Sequence, residues 1–165
     1  MVMKIFSHQK AKSGLNIKKE VIMNKICTDL IQSKKLIELG VDVNTSDMVY
    51  LKSYFEEEDG EYNLLEGSYH EGYVEKDDGS LVPVFDEHIP AWSLVALEKL
   101  MPFQLIENNN RYGFYQVKGF NKQGETYRFG YKSNDNSFLF ETSWSNNLID
   151  AAFEMICWLK ENNKI

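Results

Sequence analysis

The chain of 165 residues is 43% hydrophobic and 13% aromatic, which predicts one folded domain with its own core and argues against disorder of the whole chain. Its formal net charge of −7 argues against general nucleic-acid binding, because contacts with phosphates need Lys and Arg. The two cysteines, Cys27 and Cys157, are too few and too far apart for a disulfide framework, so we expect two reduced, buried thiols.

The amino-terminal segment, residues 1–22, is basic and differs from the rest of the chain. No apolar signal-peptide core follows its first residues, and no apolar run in the sequence is long enough to cross a bilayer. We therefore predict a cytoplasmic protein without membrane contact. Met23 offers a second plausible start beside Met1 and Met3. We predict an N-terminal extension over residues 1–22 and a single domain over residues 23–165.

The first predicted helix runs from Thr28 to Leu39, where hydrophobic residues recur at helical spacing. Its broad apolar face would hold Leu30, Ile31, Leu36 and Ile37. Gly40 fits the helix stop, because a left-handed closing residue costs Gly little. Residues 44–47 are predicted to form a turn or the cap of a short following segment.

The middle of the chain, residues 56–90, carries twelve acidic residues and a single Lys, so it supplies the acidity of the whole protein. Two Asp-Gly pairs, at residues 59–60 and 78–79, are turn signals of the kind that hairpins use. The run from Glu56 to Glu61 is interpreted as a solvated loop or as a docking surface for a basic protein partner. Both an acidic hairpin and a loop excursion fit this segment.

A polar cluster at the end of the acidic middle is the candidate binding site. Asp86, Glu87 and His88 follow one another, with His70 before them and Trp92 after them. A histidine beside a carboxylate can perform acid–base chemistry if folding brings the two together. The alternative is a polar loop that leads into the next helix.

The sequence predicts no cofactor, no metal ligand set and no catalytic residue. Neither of the glycine patterns that bind phosphates occurs among the ten glycines. Both Asp-Gly pairs fail the spacing of a calcium loop, because Phe55 or Val74 would stand at its first position, which needs an oxygen ligand.

A second helix is predicted to begin after Ser93, which is a good cap, and to end at Pro102. Trp92 and Leu97 have the spacing of a hydrophobic staple across this cap. This start signal is the clearest in the chain.

Three aromatic strands are predicted next, over residues 112–118, 126–132 and 137–143. Their period-two alternation and short polar turns indicate an antiparallel meander with one buried face. The rings outnumber the places on one small face, so some of them are candidates for a self-association patch, as in a homo-oligomer, or for a ligand groove. These candidates are Tyr112, Tyr115, Tyr131 and Trp144.

The last predicted helix runs from Leu148 to Asn162, with Asn147 as its cap. Its apolar stripe would cover the meander and comprises Ile149, Ala152, Phe153, Ile156 and Leu159. The predicted class is therefore α+β: a three-stranded antiparallel aromatic-rich meander covered by a C-terminal helix, with one or two further helices and the acidic excursion.

Three stretches of the chain together resemble a known group of proteins. They are QSKKLIELG at residues 32–40 with SDM at 46–48, PAWSL at 90–94, and AFEMICWLKEN at 152–162. The chain resembles small uncharacterised proteins encoded in prophages and conjugative elements of gut anaerobic bacteria. The resemblance covers Met23 to the end, implies an accessory gene of a mobile element in a bacterial cytoplasm, and brings no catalytic residue with it.

Two hypotheses for the function follow. The first is a non-catalytic accessory or interaction protein of a bacterial mobile element. The second is a small enzyme or small-molecule binder whose pocket lies near His70, Glu87, His88 and Trp92.

Overall fold

The computed structural model describes residues 25–53, 62–67, 73–75, 78–83 and 85–165. The predictions for residues 1–22, for the acidic run from Glu56 to Glu61 and for His70 lie outside these described residues.

The described residues form α-helices and antiparallel sheets, which confirms the α+β class. The helices are α1 (Leu30–Glu38), α2 (Leu94–Leu100) and α3 (Leu148–Glu161). The strands are β1 (Met48–Ser53), β2 (Tyr62–Glu66), β3 (Tyr73–Glu75), β4 (Leu81–Pro83), β5 (Phe85–Ala91), β6 (Gln104–Glu107), β7 (Asn110–Asn121), β8 (Gly124–Ser133) and β9 (Phe138–Glu141). A short 3-10 turn, Val43–Thr45, joins α1 to β1.

Helix α1 lies within the range that its sequence predicts and has a capping residue at each end. The Asp29 side chain accepts a hydrogen bond from the Gln32 amide at 2.9 Å, and the Gln32 side chain completes a capping box. Gly40 closes the helix with a φ of 75°, a conformation that glycine adopts without strain.

The buried face of α1 differs from the predicted apolar face. Ile31 is 83% exposed, whereas Ser33 and Leu36 are buried. The Ser33 hydroxyl lies 2.8 Å from the hydroxyl of Thr28, which also accepts a hydrogen bond from the Trp92 amide. The prediction that Ile31 faces inward is wrong. Ser33 takes an inward position instead, and its hydroxyl can be buried because the Thr28 hydroxyl is its hydrogen-bond partner.

The first sheet joins strands that are far apart in the sequence. Its order is β2-β1-β5, and both pairs are antiparallel. Strands β3 and β4 form a separate two-stranded hairpin with residues 78–79 between them. There the Asp78 carboxylate accepts a hydrogen bond from the Ser80 amide at 2.9 Å, and Gly79 has a φ of 79°. The turn predicted at this Asp-Gly pair is confirmed.

The aromatic meander has four strands rather than the three predicted. Its order is β6-β7-β8-β9, and the three predicted strands correspond to β7, β8 and β9. The missed strand, β6, has four residues and no aromatic ring. Asn108 and Asn109 join β6 to β7 with φ values of 49° and 62°, a left-handed conformation that Asn tolerates better than most residues.

Helix α2 begins and ends where its sequence predicts. The Ser93 hydroxyl accepts a hydrogen bond from the Ala96 amide at 3.3 Å, and the helix ends before Pro102. Trp92 and Leu97, the predicted staple, are both fully buried in the main core.

Helix α3 covers one face of the meander, which we call the inner face. Phe129 and Tyr131 of β8 are fully buried there, and the Phe140 and Trp158 rings stack with centroids 4.5 Å apart. Of the predicted α3 stripe, Phe153 is only partly buried. The buried residues of α3 are Ile149, Ala151, Ala152, Met155, Ile156 and Leu159. The main core thus lies between α3 and the inner face.

Candidate functional site

The structure describes part of the predicted polar site. Asp86 and Glu87 belong to β5, and His88 follows them in the same strand and is half-buried. Glu87 and His88 occupy successive pairs in the register with β1. Successive positions along a strand belong to opposite faces of a sheet, so positions 87 and 88 do not share a face. His70 lies outside the described residues.

Trp92, the fifth residue of the predicted site, is a core residue. Its side chain is fully buried, and its indole N–H donates a hydrogen bond to the Thr45 hydroxyl at 2.9 Å. Its backbone amide donates to the Thr28 hydroxyl at 3.0 Å. A ring enclosed in this way has no exposed face to offer a ligand, so the position of Trp92 lends no support to a binding role.

A shallow depression lies beside the start of α2. It has a volume of about 510 Å³ and is lined by Ile26, Asp47, Met48, Glu66, Gly67 and Ser93. The Asp47 carboxylate accepts hydrogen bonds from the Ser93 amide at 2.8 Å and from the Ser93 hydroxyl at 2.5 Å. Asp47 therefore holds the start of α2, and the described lining includes none of the predicted site residues.

Both cysteines are free thiols, as the sequence predicts, although Cys157 is only half-buried. Burial raises the pKa of Cys27, which is 2% exposed, and raises the pKa of Cys157 to about 11. Reactive cysteines need a lowered pKa, because the thiolate is the nucleophile. Neither thiol has the environment of a catalytic cysteine.

The outer face of the meander, opposite α3, carries a second set of aromatic and basic residues. Residues that pair across antiparallel strands share a face, so the β7-β8-β9 register defines most of this set. Trp144 follows β9 and joins the set because its ring lies next to Gly119 and Arg128. We call it the outer cluster, and it consists of Tyr115, Val117, Arg128, Lys132, Phe138 and Trp144. Phe138 is 51% exposed and Trp144 is 47% exposed. The outer cluster is thus a solvent-facing surface on a sheet.

A β-bulge decides that Phe138 belongs to the outer cluster. The period-two pattern of β9 places Phe138 and Phe140 on the same face. In the structure the register shifts between Tyr131 and Lys132, so that Phe140 pairs with Tyr131 but Phe138 pairs with Lys132. Tyr131 and Lys132 are successive residues, so the two Phe residues lie on opposite faces.

Two glycines let aromatic rings rest directly on the outer face. A Cβ at Gly130 would lie 2.5 Å from the Tyr115 hydroxyl oxygen and 2.6 Å from the ring carbon Cζ. A Cβ at Gly119 would lie 3.0 Å from Cζ3 of Trp144. The rings of Tyr115 and Trp144 therefore occupy space that a side chain at Gly130 or at Gly119 would fill.

The cations of the outer cluster lie over its rings. The Arg128 guanidinium is 4.6 Å from the centroid of the Trp144 ring, and the Lys132 ammonium is 5.3 Å from that of Phe138. A cation in this position is attracted by the electrons of the ring face. The rings and cations therefore form one surface rather than separate patches.

Glu141 is the carboxylate that orders part of this surface. It accepts a hydrogen bond from the Tyr115 hydroxyl and forms an ion pair with Arg128 at 3.2 Å. The Tyr115 hydrogen bond and the nearby Arg128 hold the pKa of Glu141 below its ordinary value. Burial, with the hydrogen bond to Glu141, raises the pKa of Tyr115. At neutral pH the ionised Glu141 therefore fixes both partners.

Two of the four candidate surface rings from the sequence belong to the outer cluster, Tyr115 and Trp144. Tyr131 is fully buried instead, and its hydroxyl donates to the Pro102 carbonyl at 2.7 Å. Tyr112 is partly buried against the main core. The pattern of alternation identified the rings but did not show which of them remain exposed.

Comparisons of the chain with protein-family models, with curated proteins and with solved structures found no match. Within the described ranges, no helix has the length and apolar character needed to cross a membrane. The same ranges contain no group of three His, Cys, Asp or Glu side chains placed to hold a metal ion.

Proposed function

We propose that the protein is a non-catalytic accessory or interaction protein of a bacterial mobile element, acting in the cytoplasm. The outer cluster carries the proposal of an interaction role, because Phe138 and Trp144 are half-exposed rings held on a four-stranded sheet. Aromatic residues are enriched where proteins bind partners, and rings that are already positioned lose little freedom on binding. The resemblance of residues 23–165 to proteins of mobile elements supports the genetic context.

The alternative of a small enzyme or small-molecule binder near His70, Glu87, His88 and Trp92 has weaker support. Positions 87 and 88 belong to opposite faces of β5, and the Trp92 ring is enclosed. Among the described residues, these two observations lend the alternative no support.

The interaction role is tested by affinity capture from native bacterial lysate with the full chain and two variants. Phe138→Ser/Trp144→Ser removes both exposed rings of the outer cluster. Phe103→Ser is the matched control, because Phe103 is 88% exposed and lies outside that cluster. We expect the wild type and the control to retain the same macromolecule and the double variant to lose it.

Thermal unfolding of all three proteins shows whether the variants remain folded. Capture of nothing by the wild type, or equal capture by all three folded proteins, would contradict the interaction role.

A further inference from the structure

We propose that the outer cluster binds single-stranded nucleic acid, with bases stacked on its rings and phosphates beside its cations. This inference rests on the proposed interaction role, because it names the class of partner for the same surface.

The rings of the outer cluster are placed as a stacking surface. Tyr115 lies against Gly130 and Trp144 lies against Gly119, and Trp144 keeps 47% of its surface exposed. Phe138 is the neighbour of Tyr115, with ring centroids 6.2 Å apart. An unpaired base can stack on an aromatic side chain held on an antiparallel sheet, and three rings suit a run of about three bases.

The charge of the outer face complements phosphate. Arg128 and Lys132 belong to the outer cluster, and Arg111 lies on the same face because it is four residues before Tyr115 in β7. Within the register of β6 to β9, Glu141 is the carboxylate on this face, and it forms an ion pair with Arg128. The face is therefore locally positive, although the whole chain has a net charge of −7.

The net charge of the chain still limits what this surface can hold. Most of the acidity comes from residues 56–90, which carry twelve of the acidic residues, whereas residues 91–165 have eight basic and eight acidic residues. Repulsion from the acidic middle opposes general binding along a duplex, as the sequence predicts.

Other occupants fit the outer face less well. An acidic peptide would form ion pairs with the cations, but its carboxylates would not stack on the rings. A symmetric pairing of two copies through this face would bring together two patches of the same net charge, because each copy presents the same surface. A double helix keeps its bases stacked on one another and hides their faces from the rings.

The test is fluorescence anisotropy of the full chain with labelled oligo-dT and oligo-U of about 12 nucleotides, at roughly 50 mM salt. We expect both single strands to bind more tightly than a duplex of the same length. Phe138→Ala and Trp144→Ala should each weaken binding about tenfold, because each removes one stacking ring. Phe103→Ala, which removes an exposed ring elsewhere, should leave affinity unchanged.

A second arm tests the cations through the salt dependence of binding. Lys132→Gln should reduce the slope of log affinity against log salt concentration by about 0.7, because one phosphate contact is lost. Lys122→Gln removes the same charge from the turn between β7 and β8 and should leave the slope unchanged. Equal slopes for these two variants would overturn the inference that a phosphate lies beside Lys132.

The outcomes separate this inference from the interaction role. Absence of oligonucleotide binding, or equal affinity for the duplex, overturns the inference. If lysate capture is still ring-dependent and resists nuclease, the interaction role stands and the partner is a protein. A dimer that dissociates on Phe138→Ala, seen by sedimentation without nucleic acid, assigns the face to a second copy instead. Phe138→Leu and Trp144→Leu replace any alanine variant that fails to fold, since they keep apolar volume without a ring.

Discussion

Trp92, between β5 and α2, is hydrogen-bonded to the segment before α1 and to the turn after it. Its indole N–H bonds to Thr45, and the Thr45 hydroxyl donates in turn to the Asp42 carbonyl at 2.6 Å. Its backbone amide bonds to Thr28, just before α1. A buried polar group without a partner is costly, so these bonds make a large ring acceptable at this position.

Substitution of Trp92 by Phe should destabilise the fold. The change removes the hydrogen bond to Thr45 and part of the ring volume, and we expect the free energy of unfolding to fall by about 1–3 kcal/mol. Urea unfolding measures the loss. Trp144→Phe is the control, because Trp144 is 47% exposed and its change should cost about 0.5 kcal/mol or less. Equal losses would show that Trp92 is not the core residue described.

Single residues also show where sequence reasoning succeeds and where it fails. The caps Ser93 and Asn147 and the stop at Gly40 were predicted correctly, because a cap acts on amides within three residues of itself. Ile31 was predicted to face inward and is exposed, and the alternation that groups Phe138 with Phe140 fails at the bulge. Their exposure depends on distant hydroxyls and on a bulge, neither of which leaves a local pattern.

At the scale of elements, the turn between β8 and β9 is held by one carboxylate. Asp135 accepts hydrogen bonds from the Ser133 hydroxyl and from the Ser137 amide and hydroxyl, the last two at 3.0 and 2.8 Å. These bonds lower the pKa of Asp135 from 3.8 to about 2, and the bond from the Ser133 hydroxyl has the largest effect. The ionised form is therefore the one that the turn favours.

The stabilisation that ionised Asp135 gives to the turn should be lost in acid. Because the pKa of Asp135 is lower in the folded state than its ordinary 3.8, the contribution is fully present above pH 3.8 and is lost as the pH falls toward 2. The difference in the free energy of unfolding between the wild type and Asp135→Asn should shrink from about pH 6 to about pH 3. NMR titration of the Asp135 carboxyl measures the pKa directly, and a midpoint near 3.8 would contradict the described turn.

The four-stranded meander shows how much of an element a sequence can reveal. Period-two alternation located β7, β8 and β9, because one buried face imposes it on every strand. It missed β6, whose four residues are too few to show a period. The pair Asn108-Asn109 was the available signal for the β6–β7 turn, since Asn tolerates the positive φ that such a turn requires.

At the scale of the whole molecule, a polar cluster joins the amino-terminal part of the described chain to α3. Asp150 lies 2.7 Å from the Lys25 ammonium and accepts a hydrogen bond from the Gln32 side chain at 2.9 Å. Lys160 adds a second link, because its ammonium donates to the Gly40 carbonyl at 2.8 Å. These contacts hold both ends of α1 against α3.

Removal of Asp150 should loosen this connection. Asp150 is 43% exposed, so solvent screens the pair, and we expect Asp150→Ala to lower the free energy of unfolding by about 1 kcal/mol. Glu161→Ala, which removes an exposed carboxylate from the same helix, should have an effect of about 0.5 kcal/mol or less. Urea unfolding at low and high salt compares the two, and the Asp150 effect should decrease with salt. Identical behaviour of the variants would rule out a specific role for Asp150.

By itself, the sequence determined the α+β class, the caps of α2 and α3, the end of α1 at Gly40, most of the stripe of α3 and three strands of the meander. These features follow from interactions among residues that are near one another in the chain, so they leave a periodic or short-range pattern. Only the tertiary structure decided the β2-β1-β5 sheet, the buried face of α1, the enclosure of Trp92 and the exposure of the outer cluster. Each of these depends on which distant surfaces meet and which stay open to solvent. Burial is set by the partner as much as by the residue, and a partner far along the chain leaves no periodic pattern in the sequence.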